Sequence, residues 1–326
     1  MIIKNQNHIR MKTTGFLLML LVIFSCEKQD ERIYAFPEPS SPYEDPIWHP
    51  SGEIIGFYHR PIKEIHYDYS YNRPIATKYV YEKDSAGFWL IDSDGTNQRR
   101  VLHELHDPLW SPDGNWISFV QSGRTFKMPF DGERFDTSAI VPVTTELCTY
   151  QTSWSPDGKQ ITYGKASCDD DDNKVGAWIK NMETGTEKFI GRYVYYMSWH
   201  PTDDSIVYLK SDSLMLYDNT ADTKKLLLAI PVSTTESRDL EYSPTGDKIA
   251  FISDRLYLYT LNPDGTGLKR LSDSIITSYS WSPEGEIVYL NFDLNSIDLT
   301  QGTLWIMNAD GTNQRQLTHN RFEVYP

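Results

Sequence analysis

HDPLWSPDGNWISFVQSG, residues 106–123, sets one tight corner between two apolar runs. Ser111-Pro112-Asp113-Gly114 has the chemistry of a type I turn: Ser opens it, Pro fixes φ at the second place, Asp is tolerated at the third and Gly closes it. Before the corner an apolar run ends in Trp110. After it Trp116, Ile117, Phe119 and Val120 read as a β-rich strand with only partial alternation. The stretch is a strand, a turn and a second strand.

The same corner occurs six times, beginning at Trp48 (WHPSGEIIGF), Trp110, Trp154, Trp199 (WHPTDDSIVYL), Tyr242 (YSPTGDKIAFI) and Trp281, at spacings of 62, 44, 45, 43 and 39 residues. A second corner recurs between them, as in FWLIDSDGTNQRRVL, LYTLNPDGTGLKRLS and LWIMNADGTNQRQLT. Each period thus holds four strands and two turns. A period near 40 residues with four strands per unit is the mark of a β-propeller. One blade cannot bury both faces of its sheet, so the recurring Trp and the Ile-x-Phe or Ile-x-Tyr pairs are assigned to packing between blades. The expected fold is all-β: a six-bladed propeller of four-stranded antiparallel blades over residues 46–326.

Trp-Ser-Pro-Asp-Gly, the Ile-x-Phe strand after it and the LWIMNADGTNQRQLT unit together resemble the TolB-type propeller repeat, related in shape to WD-repeat propellers. The resemblance runs from about Pro46 to Thr318. The second, third and fourth units depart from its Asp-Gly-Thr corner, and the fourth lacks the Gly of the first corner. It implies the fold far more than a function, since this repeat type serves scaffolds, propeller domains of peptidases and a few sugar-active enzymes. TolB relatives carry an α/β domain before the propeller. Only about twenty residues separate Cys26 from the first blade, so that domain is expected to be absent.

Lys4, Arg10 and Lys12 precede the apolar run Phe16 to Phe24, which is too short to span a bilayer as a helix and has the layout of a secretory signal. Either Met1 or Met11 serves as its start. VIFSCEKQDE resembles the lipobox of bacterial lipoproteins, with Ile23 three places and Ser25 one place before the Cys, and Phe24 between them departing from the usual small or medium residue. It implies lipidation of Cys26; the plainer alternative is an ordinary cleaved signal with an incidental Cys. Residues 1–25 then form the signal peptide and 26–45 a lipidated, Pro-rich tether. The expected location is the cell envelope, as an outer-membrane lipoprotein on the periplasmic or the surface side. The acidic run after Cys26 resembles signals that carry lipoproteins to the surface.

Cleavage after residue 25 takes away three cations and no anion, moving the formal net charge from −14 to −17. So acidic a chain disfavours nucleic acid, whose binding rests on Lys and Arg neutralising phosphates. The membrane is met through the lipid alone, and the chain is expected to be a monomer.

In a four-stranded blade both regular corners lie on one face, and the irregular loops lie on the other, where binding usually resides. The insert YHRPIKEIHYDYSYNRPIATKYVYEKDSAG supplies Tyr67, Tyr69 and Tyr71 as candidates; its alternating tyrosines equally read as a hairpin extending blade one. LHELHDP supplies His103, His106 and Asp107, GRYVYYMSW supplies Tyr195 beside Tyr193 and Tyr196, and VSTTESRDLEYS supplies Arg238 and Asp239. Tyr and Arg are the types that anchor interfaces. No metal or cofactor is expected: the His-Glu-x-x-His helix is missing around His103, and DSDGTN at Asp92 falls at the second corner that recurs in every blade, with near copies in the fifth and sixth, as turn chemistry does. No Gly-x-Ser-x-Gly elbow or phosphate loop marks catalysis.

The expected function is a non-catalytic module binding an envelope protein; the alternative is a glycan-binding propeller, or a polysaccharide lyase or glycosidase. Cys148 and Cys168 are expected to bridge, from a register that pairs Trp154 with Thr162 and so sets the two thiols opposite each other.

Overall fold

The computed structural model describes residues 41–70, 75–82, 84–168, 175–210, 213–229, 239–253, 256–292 and 302–325. The chain separates into two units, Met1–Glu38 and Pro39–Pro326, and the described residues belong to the second. Cys26, Tyr71 and Arg238 lie outside them.

Among the described residues the strands fall into six four-stranded antiparallel sheets and one of three strands. In chain order the first sheet begins with β1 (Tyr43–Trp48) and β2 (Ile54–His59). A hairpin of β3 (Ile62–Asp68) and β4 (Ile75–Tyr81) follows before β5 (Gly87–Asp92) and β6 (Arg99–Leu102) complete that sheet. The second sheet holds β7 (His106–Trp110), β8 (Trp116–Gln121), β9 (Arg124–Pro129) and β10 (Val141–Pro142), and the third β11 (Thr149–Trp154), β12 (Gln160–Lys165), β13 (Gly176–Asn181) and β14 (Glu187–Gly191). The fourth holds β15 (Val194–Trp199), β16 (Ser205–Lys210), β17 (Ser213–Asp218) and β18 (Thr223–Ala229). The fifth is β19 (Leu240–Tyr242), β20 (Ile249–Ile252), β21 (Leu258–Leu261) and β22 (Lys269–Arg270), and the sixth β23 (Ile275–Trp281), β24 (Glu286–Phe292), β25 (Thr303–Asn308) and β26 (Arg315–Gln316). A last strand, β27 (Glu323–Tyr325), pairs in parallel with β3.

The apolar cores of the four-stranded sheets are each shared by two consecutive sheets. Trp48, Ile55 and Phe57 of the first meet Val288, Leu290 and Ile306 of the sixth, while Phe88 and Leu90 on the first sheet's other face meet Trp110, Ile117 and Phe119 of the second. Further cores join the third to the fourth, the fourth to the fifth and the fifth to the sixth. A strand buried on both faces has no wet side, which is why its sequence alternates only in part. β1, β7, β11, β15 and β19 neighbour one another in turn, β23 packs beside β20, and β1 packs on β23 to close the circuit.

The corners form as their chemistry requires. Ser111 Oγ accepts the Trp116 N–H at 3.0 Å, and Ser155 and Ser243 repeat the bond with Gln160 and Lys248. At the second corners Asp94, Asp264 and Asp310 each accept both the N–H and the hydroxyl of the Thr two residues on. Those bonds hold the Asp94 carboxyl below its usual range and occupy it as a turn residue.

Two expectations are corrected. The tyrosine-rich insert is a hairpin, but it does not extend the first sheet: it joins β27 in a separate three-stranded sheet with its own core of Ile62, Ile65 and Tyr67. The β2–β5 ladder stops at His59 and Gly87. Pro61, which has no N–H and restricts Arg60, breaks the strand there. In the third sheet Trp154 pairs with Ile161, not Thr162, and a bulge between Gln151 and Ser153 shifts the register again, so that Cys148 O accepts the Ala166 N–H. Cys148 and Cys168 are nevertheless joined, with a Cα–Cα distance of 6.1 Å. Cys148 has a left-handed φ of 58° and has left the strict up-and-down alternation of the strand.

Candidate functional site

The innermost strands share a second irregularity. β1, β7, β11, β15 and β23 each carry a register shift just before the corner aromatic. Four residues at this place take a left-handed φ: Asp45 (47°), Asp107 (47°), Tyr196 (45°) and Asp239 (55°). Asp tolerates that region better than most residues, and a Tyr there marks a locally strained backbone. A bulge bends its strand and re-aims the side chain.

Around these bulges lies a cavity of about 670 Å³, lined by residues of all six inner strands and by the end of β12. Its carboxylates are Asp45, Asp107, Asp239 and Glu241, its one lining ammonium is Lys165, and its phenols are Tyr150, Tyr193, Tyr196 and Tyr279. Ile47, Leu109, Val194, Met197 and Leu240 give it apolar surface. It opens on the face away from the regular corners. Tyr193 and Tyr196 are 67% and 37% exposed. Lys165 is buried. Gly164 leaves room for the Tyr150 ring, which a side chain there would strike. The Cys148–Cys168 bridge closes the hairpin end that carries Tyr150, Lys165 and Ser167.

Behind the cavity wall the sheets are joined by one repeated bond. The N–H of Trp199 donates to Ser153 Oγ (3.1 Å), that of Tyr242 to Ser198 (3.0 Å) and that of Trp48 to Ser280 (3.1 Å), the last closing the circuit. At the fifth sheet the acceptor is Glu241, whose Oε2 takes the Trp281 N–H at 3.3 Å. Burial pushes the Glu241 carboxyl up to about 7, and the N–H bond only partly offsets it. Tyr279 donates to Ala250 O at 2.7 Å, and its phenol is pushed far up by burial, then by the charges of Glu241 and Asp239.

Of the residues singled out from sequence, Asp107 and Asp239 line the cavity, as do Tyr193 and Tyr196. Tyr195 lies in β15 opposite Leu209. His103 and His106 are exposed and outside the cavity lining, Tyr67 is in the core of the three-stranded sheet, and Tyr69 stands exposed beside it. Sequence reasoning passed over Asp45, Tyr150, Lys165, Glu241, Ser278 and Tyr279. Counting back three residues from each corner aromatic finds Asp45, Asp107, Tyr196, Asp239 and Ser278 at once. His49 and His200 of the two Trp-His-Pro corners are wedges between sheets: each packs edge-on against the next corner aromatic, Trp110 at 4.7 Å and Tyr242 at 4.8 Å.

The fold is that of a β-propeller, similar to solved propellers of the TolB type. An uncharacterized Agrobacterium fabrum protein, Atu1656, is 22% identical over 247 residues, covering 68% of this chain and 80% of that protein. The solved structure of a putative TolB from Agrobacterium tumefaciens superposes with a TM-score of 0.55 at 18% identity, covering 72% of this chain and 88% of that one. An oligogalacturonate lyase solved in complex with manganese gives a TM-score of 0.51 at 13% identity, covering 86% and 78%. No protein-family profile matches the chain. Likeness at these identities carries the fold. The described residues bring together no three His, Cys, Asp or Glu side chains in a metal-holding group. Among the described residues no helix is long and apolar enough to cross a membrane.

Proposed function

We propose that the protein is a non-catalytic binding module of the cell envelope, tethered by a lipid on Cys26, which holds an envelope protein over its central cavity. In this reading the six four-stranded sheets are the blades, and the three-stranded sheet is an appendage beside them. The observation that supports it is the cavity itself: irregular segments of six inner strands converge on one opening, and Tyr193 and Tyr196 stand exposed at it on strained backbone. Exposed aromatics around a pocket are the usual anchors of an interface. Strain of this kind persists where the surrounding structure holds it for a purpose.

A glycan-binding or glycan-cleaving propeller is the second reading. Glu241, titrating at about 7 close to Tyr279, favours it as a candidate acid or base. The cavity's excess of carboxylates opposes a polyuronic acid as substrate. The two readings part in one assay. Immobilised mature protein is used to capture partners from detergent-solubilised envelopes, beside the pair Tyr193→Ala/Tyr196→Ala and the opposite-face variant Asp264→Asn. A discrete protein band lost in the tyrosine pair and kept in Asp264→Asn supports the binding module. New reducing ends released from envelope glycans, with no band, would favour the enzyme.

A further inference from the structure

The six inner strands serve as an internal alignment. Directly before the corner aromatic stand Ile47, Leu109, Ser153, Ser198, Glu241 and Ser280. All three serines bond the next sheet's N–H, so a serine at 241 would complete that junction without placing a charge in a half-buried wall. Joining the sheets does not require the carboxylate of Glu241. Three places before the aromatic, the fifth, sixth, first and second sheets present Asp239, Ser278, Asp45 and Asp107 in ring order. The third and fourth sheets line the other side with Tyr150, Tyr193, Tyr196 and Lys165. The cavity is therefore polarised, with an acidic arc facing an aromatic one.

Ser278 adds an independent mark. It lines the cavity within the acidic arc and is only 5% exposed, and its hydroxyl has no hydrogen-bond partner among the described residues. A buried hydroxyl left unpaired costs free energy unless something that enters the cavity bonds it.

We propose that the central cavity binds an organic cation, an ammonium or guanidinium group on an apolar or aromatic stem, with Glu241 and Asp239 as counter-charges and the Ser278 hydroxyl turning into the cavity to accept one of its N–H groups. The inference rests on the reading that this cavity is the binding site, and it names the chemistry the site selects. The tyrosines of the opposite arc take the stem, since aromatic rings cover apolar and planar groups well. A volume of about 670 Å³ suits a ligand of small-molecule size. The same cation reaches the site either as a free amine or as a Lys or Arg side chain of the bound partner. Binding favours the ionised form of Glu241, so the ligand displaces its proton near neutral pH.

Isothermal titration of the mature protein tests this with 2-phenylethylammonium and 2-phenylethylguanidinium against uncharged 2-phenylethanol. Blocked tetrapeptides Ala-Phe-Arg-Ala and Ala-Phe-citrulline-Ala represent the side-chain source. The cationic member of each set is expected to bind about tenfold or more tightly than its neutral isostere, and Glu241→Ser to remove most of that preference. Binding should also strengthen from about pH 6 to about pH 8 as Glu241 loses its proton. Glu241→Ser keeps the junction bond, so a melting temperature no lower than that of wild type separates lost recognition from lost fold. A peptide far tighter than the free amines assigns the cation to a protein partner; equal affinities assign it to a small molecule. Neutral isosteres binding as well as the cations, Glu241→Ser binding like wild type, or no cation binding up to about 10 mM each overturn the proposal. If the cations fail while partner capture still depends on Tyr193 and Tyr196, the binding module stands and only its ligand chemistry falls.

Discussion

Replacing Glu241 by serine puts at the fifth junction the residue that three other junctions use, and its effect on stability should depend on pH. The carboxyl of Glu241 is raised by burial to about 7 from an ordinary 4.5. The folded protein therefore holds this proton more tightly than the unfolded chain does. The resulting stabilisation is complete below about pH 4.5, declines as pH rises and is gone above about pH 7, where the folded state bears the cost of a buried carboxylate. At about 1.4 kcal/mol per pKa unit the swing is at most about 3 kcal/mol, and less in so far as solvent in the cavity screens the charge. Serine keeps the bond to the Trp281 N–H and carries no charge. Glu241→Ser is expected to lie within about 1 kcal/mol of wild type at pH 5 and to be more stable by about 2 to 3 kcal/mol at pH 8. Urea denaturation of both proteins at the two pH values reads the difference directly. A stability difference that stays constant between pH 5 and pH 8 would refute the reasoning, because it would mean that Glu241 does not titrate differently on folding. A more stable variant would also show that the carboxylate is retained at a cost in stability.

Three further outcomes follow from the fold and from the proposed lipid on Cys26. Ser280→Ala removes the acceptor of the Trp48 N–H at the junction where the circuit closes, so it should cost about 1 kcal/mol in urea denaturation; no loss would mean that this bond does not help to hold the first and sixth sheets together. Cys148→Ser with Cys168→Ser opens a link of sequence separation 20 and should cost about 3 kcal/mol, with both thiols of the unreduced wild type resisting alkylation; free alkylation without reductant would show that the bridge does not form. Cys26→Ser should move the protein from the membrane fraction to the soluble one, and continued acylated membrane association would exclude the lipid on Cys26.

Much of the fold was legible because corner chemistry is local. Ser-Pro-Asp-Gly declares a turn wherever it stands, and six corners in the same order left few other architectures. The parallel pairing of β27 with β3 was not legible: it joins residues some 260 positions apart in numbering through a three-residue strand, Glu323–Tyr325, that carries no pattern of its own. The hairpin register of the third sheet was missed twice over: the turn itself pairs Trp154 with Ile161, and the bulge at Gln151/Ser153 then shifts the register by one more without a sequence signal.

The site was half legible. Asp107 and Asp239 were chosen as loop residues, yet they share the cavity because the repeat sets both in a left-handed position three places before the corner aromatic. Glu241 shows as unusual only when the repeats are laid on one another, where it replaces Ser. His103 and His106 drew attention as metal-ligand types, but a short loop that buries Leu105 leaves both exposed, outside the cavity lining.

The claim that the cavity face is where this protein meets its partner is tested most directly by photocrosslinking in intact cells. A photoreactive amino acid is placed at Tyr193, at the cavity opening, or at Thr266, in a regular corner of the opposite face. The account predicts a discrete crosslinked adduct from position 193 and none from position 266. An adduct from 266 with none from 193 would contradict it.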